Sequence, residues 1–259
     1  MSKIKLIVAL HKEFKTPDNS IYVPLELGAA TRENHFLELR DDSGDNISAR
    51  NPNYCELTGL YWAYKNLTDY DIIGLVHYRR YFMKSDFCFR KKLDNVITSK
   101  EIEKALAKKD IILPKKRHYY IETNYSHYIH SHKKAPIDEV RKVIEEYYSE
   151  YLSSFDKHMK RRTGHYFNMF IAKKEVAIPL LDFIFGVIFK LDGRVDISSW
   201  SIYEQRIYGF ISELLFDVYV DKNKLTVKNQ KYLFFEKQNW FKKIYVFLKK
   251  KYTYNKKGD

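Results

Sequence analysis

Asp71-Ile-Ile-Gly-Leu-Val-His-Tyr-Arg-Arg80 is the stretch that decides the fold. Its apolar run, Ile72 to Val76, has the length and β-branched content of a strand buried on both faces. Strands of that kind belong to α/β sheets, in which ligands sit beyond the carboxyl ends of the strands. His77, Arg79 and Arg80 stand at that end. Cations clustered there suit a small anionic ligand, phosphate first. The plainer alternative is a surface edge whose arginines pair with nearby acids.

Outward from this strand, the pattern alternates. Lys3 to Leu10 reads as a second strand, and it too ends on a basic pair, His11 and Lys12. A polar stretch runs from a turn at Thr16–Ser20 to Arg50. Asn51-Pro52 then reads as the start of a helix reaching Asn66. Thr98 to Lys108 is a helix opened by a Ser/Thr cap with a glutamate three positions on, and it feeds a short strand, Asp110 to Leu113. Residues 115–135 read as an irregular loop. Pro136 to Phe155 is a helix, Tyr166 to Lys173 a strand, Glu175 to Leu191 an apolar helix and Tyr203 to Val220 another. Asp192 to Ser201 is a loop, and a short strand near Lys231 to Phe235 closes the series. Strand–helix alternation with apolar strands indicates an α/β domain. Residues 1–221 are expected to form it, with 222–259 as a basic extension.

The chain has 259 residues, 45% of them hydrophobic, with 9 Gly and 6 Pro, a globular composition. Its 22 Tyr and 17 Phe suit a site that binds polar rings, because tyrosine stacks and hydrogen-bonds at once; half-buried surface is the plainer reading. The net charge of +13 is uneven: nine lysines against Glu236 and Asp259 put +7 in residues 231–259. A basic tail on a mildly basic body argues for an anionic surface met by the tail and against a nucleic-acid groove across the fold. Within the tail, Trp240, Phe241, Ile244, Tyr245, Phe247 and Leu248 share one helical arc ringed by lysines. Residues 240–251 therefore read as an amphipathic helix on anionic lipid, or as a helix docked on the body. Cys55 and Cys88 lack any ligand spacing and read as free thiols of a reducing, cytoplasmic compartment. No signal peptide or membrane span is expected.

Three further features carry candidate chemistry. Arg40 to Ser48 holds Asp41, Asp42 and Asp45, without the spacing of a calcium loop; it suits a plain turn, Mg²⁺ ligation or hydrogen bonding to a sugar. On the helix 203–220, at about 100° per residue, Arg206, Glu213 and Asp217 gather beside the buried stripe, with Gly209 opening space next to them. That grouping is either an ordinary ion pair or a site in which Glu213 serves as general base. His118, His127, His130 and His132 have no recognised metal-ligand pattern.

Together, VALHK at 8–12, IYVPLELGA at 21–29, RDDSGDNIS at 40–48 and NYCELTGLYWAYKN at 53–66 resemble a bacterial family of capsular and exopolysaccharide synthesis proteins. GLVHYRRYF at 74–82, ILPKKR at 112–117, FNMFIAKKE at 167–175 and QRIYGFISELLFDVYV at 205–220 extend the likeness. That family, long catalogued as a domain of unknown function, includes glycosyltransferases, some of them inverting galactofuranosyltransferases. The resemblance implies a GT-A-like fold, with a mixed, mainly parallel sheet flanked by helices. It also implies sugar transfer from a nucleotide-sugar, UDP-linked first, to a glycan or lipid-linked glycan. The matched positions are His11, Lys12, Asp45, Asn46, Ser48, His77, Arg79, Arg80 and Glu213. Arg206 joins them as a donor-binding candidate. Leu214 departs from the family, which usually has arginine there. A GT-A enzyme usually holds Mg²⁺ or Mn²⁺ on an Asp-x-Asp after a central strand. Here that strand ends in His-Tyr-Arg-Arg, so protein cations are expected to take the metal's place at the diphosphate. If a metal is used, Asp41, Asp42 and Asp45 are its candidates. A non-catalytic, membrane-associated glycan- or nucleotide-binding protein is the competing expectation.

Overall fold

The structure is a computed structural model that describes residues 2–85 and 92–235. The expected tail helix at 240–251 and Cys88 lie outside the described residues. Among the described residues, strands β1 (Ile4–Leu10), β2 (Tyr22–Glu26), β3 (Ile72–His77), β4 (Arg80–Phe82), β5 (Ile111–Pro114), β6 (Arg117–His118), β7 (Thr163–Gly164), β8 (Phe170–Lys173), β9 (Val227–Gln230) and β10 (Tyr232–Phe234) alternate with eight α-helices. The helices are α1 (Asn51–Tyr54), α2 (Leu57–Asn66), α3 (Ser99–Leu106), α4 (Asn124–Ser131), α5 (Lys134–Tyr147), α6 (Leu152–Lys160), α7 (Lys174–Leu191) and α8 (Ile207–Lys222).

The main sheet runs β2-β1-β3-β8-β5-β9. β1 is parallel to both β2 and β3, and β5 is parallel to β9. β8 runs antiparallel between β3 and β5. This is the expected mixed sheet, with its longest ladders parallel and helices on its faces. All six residues of β3 are buried. Its side chains alternate between two cores: Ile73 and Leu75 pack on one face, Ile72 and Val76 on the other. The first core is closed by α5, α7 and α8, and the second by α3 through Ile102 and Leu106. Tyr78 and Arg79 form a tight turn, so the HYRR run is a hairpin in which His77 pairs with Arg80.

Several sequence expectations need correction. The polar stretch before Arg50 contains β2, whose pairing with β1 outweighs its mixed composition. The helix expected from 51 to 66 is broken at Cys55, which takes φ 54°, while the Asn51 amide donates to the Cys55 carbonyl at 2.8 Å. The irregular loop expected at 115–135 holds β6 and α4, the latter opened by Thr123 accepting from the Ser126 N–H. The helix expected from 136 to 155 is two, α5 and α6, separated by a short turn at Ser149–Tyr151. The strand expected from Tyr166 starts only at Phe170, because Phe167 and Asn168 take positive φ, 82° and 54°. α8 starts at Ile207, four residues later than expected. Residues 222–235 are no simple extension: β9 and β10 pair with β5 and β4 and complete the sheet, so a boundary at 221 cuts it.

Candidate active site

The carboxyl ends of β1 and β3 open into a cavity of about 650 Å³. His11 follows β1, His77 ends β3, and Arg79 and Arg80 come from the hairpin beyond it. Glu56 enters from the break between α1 and α2. Arg117 comes from β6, which pairs with β7 outside the main sheet, and Arg206 and Glu213 belong to the start and first half of α8. Tyr119, His127, His132, Tyr203 and Phe210 form an aromatic wall.

The strained pair Phe167-Asn168 organises the floor. His77 Nε2 donates to the Phe167 carbonyl at 2.6 Å. The Asn168 amide donates to Glu56 Oε1 at 2.8 Å and to the Gly209 carbonyl at 3.0 Å, and its Oδ1 accepts from Ser212 Oγ at 2.8 Å. The Phe167 ring is held by two guanidinium groups, with the Arg80 carbon 4.5 Å and the Arg117 carbon 4.9 Å from its centroid. Side-chain amides favour left-handed backbone, which explains Asn168; for Phe167 the strain is offset by these contacts.

Electrostatics divides the ionisable groups. Burial pushes His77 down to about 4, with Arg80 adding to the effect and Glu56 opposing it. His77 is therefore neutral near pH 7, which corrects its expected role as a cation: positive charge at this end comes from Arg79, Arg80, Arg117 and Arg206. Burial lowers His11 as well, helped by Arg206, Arg32 and Arg79. Burial pushes the Glu56 carboxyl up, but the protonated form of His77, the Asn168 amide and a backbone N–H outweigh it and hold Glu56 below its ordinary value. Glu213 goes the other way. Burial and then the neighbouring Glu56 push it up to about 7, against the pull of Arg117 and Arg80. Two carboxylates in one cavity are thus driven apart, one ionised and one poised to exchange a proton.

The structure brings together His11, His77, Arg79, Arg80, Arg206 and Glu213 of the residues singled out in the sequence. It does not bring the others to the cavity. Lys12 is exposed and lies over the Tyr78 ring at 5.6 Å. Asp45 accepts from the Tyr61 hydroxyl at 3.1 Å, and the Asn46 amide donates to the carbonyls of Asp42 and Gly44. Ser48 donates to Asp41, which is fully buried and also accepts from the N–H groups of Gly28 and Ala29. Asp42 accepts from Arg40 at 3.2 Å. Asp41 and Ser48 thus fasten the 40–48 loop to the turn after β2, Asp45 ties it to α2, and Asn46 and Asp42 bond within it. Asp217, expected beside Arg206 and Glu213, instead accepts from the backbone and ring of His165 at 2.7 and 2.6 Å. Gly209 does not open space: it lets α8 close on Cys55, whose atoms would lie 3.3 Å from an added Cβ.

Mg²⁺ or Mn²⁺ does not fit the residues proposed for it. The Asp41 carboxylate is consumed by three donors, and Asp42 and Asp45 face other partners. Among the described residues no group of three or more His, Cys, Asp or Glu side chains is placed to hold a metal ion. Of the four histidines, His127 and His130 share Glu122, through Nδ1 contacts of 3.0 and 2.7 Å.

Glu56, Arg117 and Asn168 were not singled out by sequence reading. Glu56 sits inside a helical pattern that gives no sign of the break at Cys55. Arg117 closes the run Lys115-Lys116-Arg117, whose members have equal claims until the chain is folded. With Leu214 lining the cavity where the family usually has arginine, a guanidinium beside Glu213 comes from Arg117 instead.

Comparison with known proteins supplies the family. No curated protein matches the chain. Among solved structures, the apo form of the WbbM bifunctional glycosyltransferase superposes with a TM-score of 0.84 and 27% identity. The match covers 91% of this chain but 46% of that one, so the chain spans about half the length of WbbM. Residues 5–224 match the family described as a domain of unknown function, DUF4422, and this length of agreement, with the cavity inside it, means that the chain belongs to the DUF4422 family.

Proposed function

We propose that this chain is a glycosyltransferase that moves a sugar from a nucleotide-sugar, UDP-linked first, to a glycan or lipid-linked glycan with inversion at the anomeric carbon. The observation that carries the reading is Glu213 beside Arg80 and Arg117 in a cavity at the sheet's carboxyl ends. The likeness to WbbM, a bifunctional glycosyltransferase, supports the reaction class. Capsular or exopolysaccharide synthesis is the setting the family resemblance implies.

In this mechanism the acceptor hydroxyl attacks the anomeric carbon and gives its proton to the ionised Glu213 carboxylate. The bond from that carbon to the diphosphate oxygen breaks, and its electron pair leaves with the nucleoside diphosphate. Arg79, Arg80 and Arg117 stabilise the charge growing on that leaving group, in place of a divalent metal. The tail, residues 240–251, carries a proposed contact with an anionic membrane on sequence grounds alone. No helix among the described residues is long and apolar enough to cross a membrane.

The test is turnover of a panel of nucleotide-sugars by the pure full-length chain, in excess chelator and with added Mn²⁺. Transfer should persist in chelator. Loss that Mn²⁺ restores would refute the metal-free part. Glu213→Gln should lower kcat by about 10²–10⁴-fold while calorimetry shows UDP still bound. Arg80→Ala or Arg117→Ala should weaken UDP binding instead, and Glu213→Gln with full activity would remove the base. Donor binding with no turnover under any condition would leave a nucleotide-binding protein.

A further inference from the structure

A second, smaller cavity of about 160 Å³ is lined by Lys115, Lys116, Arg117, Tyr166, Phe167 and Tyr232. Arg117, Tyr166 and Phe167 also line the large cavity, so these three side chains form the wall between the two. Beyond that wall the small cavity meets only the two lysines and the Tyr232 phenol. No carboxylate lines it.

The charge there lacks a counterion from the chain. Among the described residues, Lys115, Lys116 and Arg117 enter no ion pair with a carboxylate. The Arg117 guanidinium instead packs on rings, its carbon 5.5 Å from the Tyr166 centroid and 4.9 Å from that of Phe167. One of its five donors is used by the Tyr119 hydroxyl, and a guanidinium stacked on rings keeps its in-plane donors at its edge.

Lysines on a loose loop would spread apart into water. This segment is fastened at both ends. The Lys115 N–H donates to the Gln230 carbonyl at 2.8 Å, Arg117 pairs with Gly164 across β6 and β7, and the Tyr119 N–H donates to the Arg162 carbonyl at 2.8 Å. Three successive cations are thus kept on one small cavity, where their mutual repulsion is relieved by a bound anion.

The wall decides which anion that is. The donor's nucleotide brings one anionic group, the diphosphate, which Arg79 and Arg80 meet in the large cavity together with Arg117. Arg117 also acts on the Glu213 carboxyl. A second anion one wall away therefore enters with the other substrate. On that basis, which rests on the transfer reading above, we propose that Lys115, Lys116 and Arg117 form a subsite for an anionic substituent of the acceptor. That substituent is a carboxylate or a phosphate next to the sugar being extended, so the acceptor is an acidic glycan or a sugar phosphate.

Calorimetry on the full chain with saturating UDP tests this, with methyl glucuronoside, glucosyl phosphate and neutral methyl glucoside as probes. At least one acidic probe should bind beside UDP, about tenfold more tightly than the neutral one, and more weakly as salt is raised. The probe that binds names the source, carboxylate or phosphate. The double variant Lys115→Gln, Lys116→Gln should weaken that probe about five- to tenfold, and Lys115→Arg, Lys116→Arg should retain it. Unchanged UDP affinity in both variants shows that they fold. Displacement of the acidic probes by UDP would make this part of the diphosphate site and overturn the proposal. So would equal binding of the neutral glycoside, an unaltered affinity in the glutamine variant, or no binding of either acidic probe. UDP-glucuronate bound more tightly than UDP-glucose, with the gap lost in the glutamine variant, would place the anion on the donor and overturn it too. Donor consumption is measured on the same samples. A chain that binds the acidic probe beside UDP but consumes no nucleotide-sugar fails as a transferase and keeps the anion subsite.

Discussion

Glu213 and Glu56 line one cavity and have proton affinities shifted in opposite directions. A general base works only when ionised, so with Glu213 near 7 the rate falls as pH drops through about 7. The kcat/KM profile should therefore show an acidic limb near that value. Glu56→Gln removes a negative charge that raises Glu213, so the limb should move to lower pH, and Gln can still accept from Asn168. A limb that stays in place would mean that Glu56 does not act on Glu213. At this scale the sequence exposed Glu213 through helical geometry, since its neighbours on one face could be read from the spacing. It hid Glu56, because a glutamate in a helical run looks the same whether it faces water or a cavity.

At the scale of elements, β3 is where local pattern and tertiary demand agree. Its residues are apolar because both sheet faces are covered, and Gly74 is glycine because the sheet is tight there. A Cβ at Gly74 would stand 2.5 Å from the Phe170 carbonyl oxygen and 2.9 Å from Leu6 and Ile171. Backbone of β8 cannot yield as a side chain would. Gly74→Ala should cost about 2–3 kcal/mol in urea unfolding, with the transition slope unchanged. An unchanged midpoint would show that β3 and β8 can separate at no cost. Boundaries were less legible than existence. The breaks at Cys55 and at Phe167-Asn168 depend on partners more than a hundred residues away or across the sheet, such as Arg206 for the Cys55 thiol at 3.0 Å. No local propensity signals such a break, yet these two breaks aim Glu56 and His77 into the cavity.

For the molecule as a whole, Asp217 shows how the layers are tied. It lies on α8, bonds His165 just after β7, and His165 Nε2 contacts Asn229 of β9 at 2.7 Å. Burial opposes its charge, but the His165 ring and N–H, with His158 nearby, take it from 3.8 down to about 2. A carboxyl depressed on folding stabilises the fold above its unfolded value and loses that contribution as pH falls. Asp217 should then contribute about 2 kcal/mol at neutral pH, lost between about pH 4 and 2. Asp217→Asn should be less stable than the wild type at pH 7 in urea titrations, with the gap narrowing toward pH 2. An equal gap at both pH values would assign the loss to packing. The sequence by itself determined the alternation of strands and helices, the buried central strand and the cationic residues at its end. These are set by hydrophobic periodicity, which each segment carries within itself. Only the tertiary structure decided which charges meet: it added Glu56 and Arg117, neutralised His77, and turned Asp41, Asp45 and Ser48 to loop fastening. Proton affinity and hydrogen bonding depend on neighbours brought together by folding, and the spacing of residues along a chain does not record them.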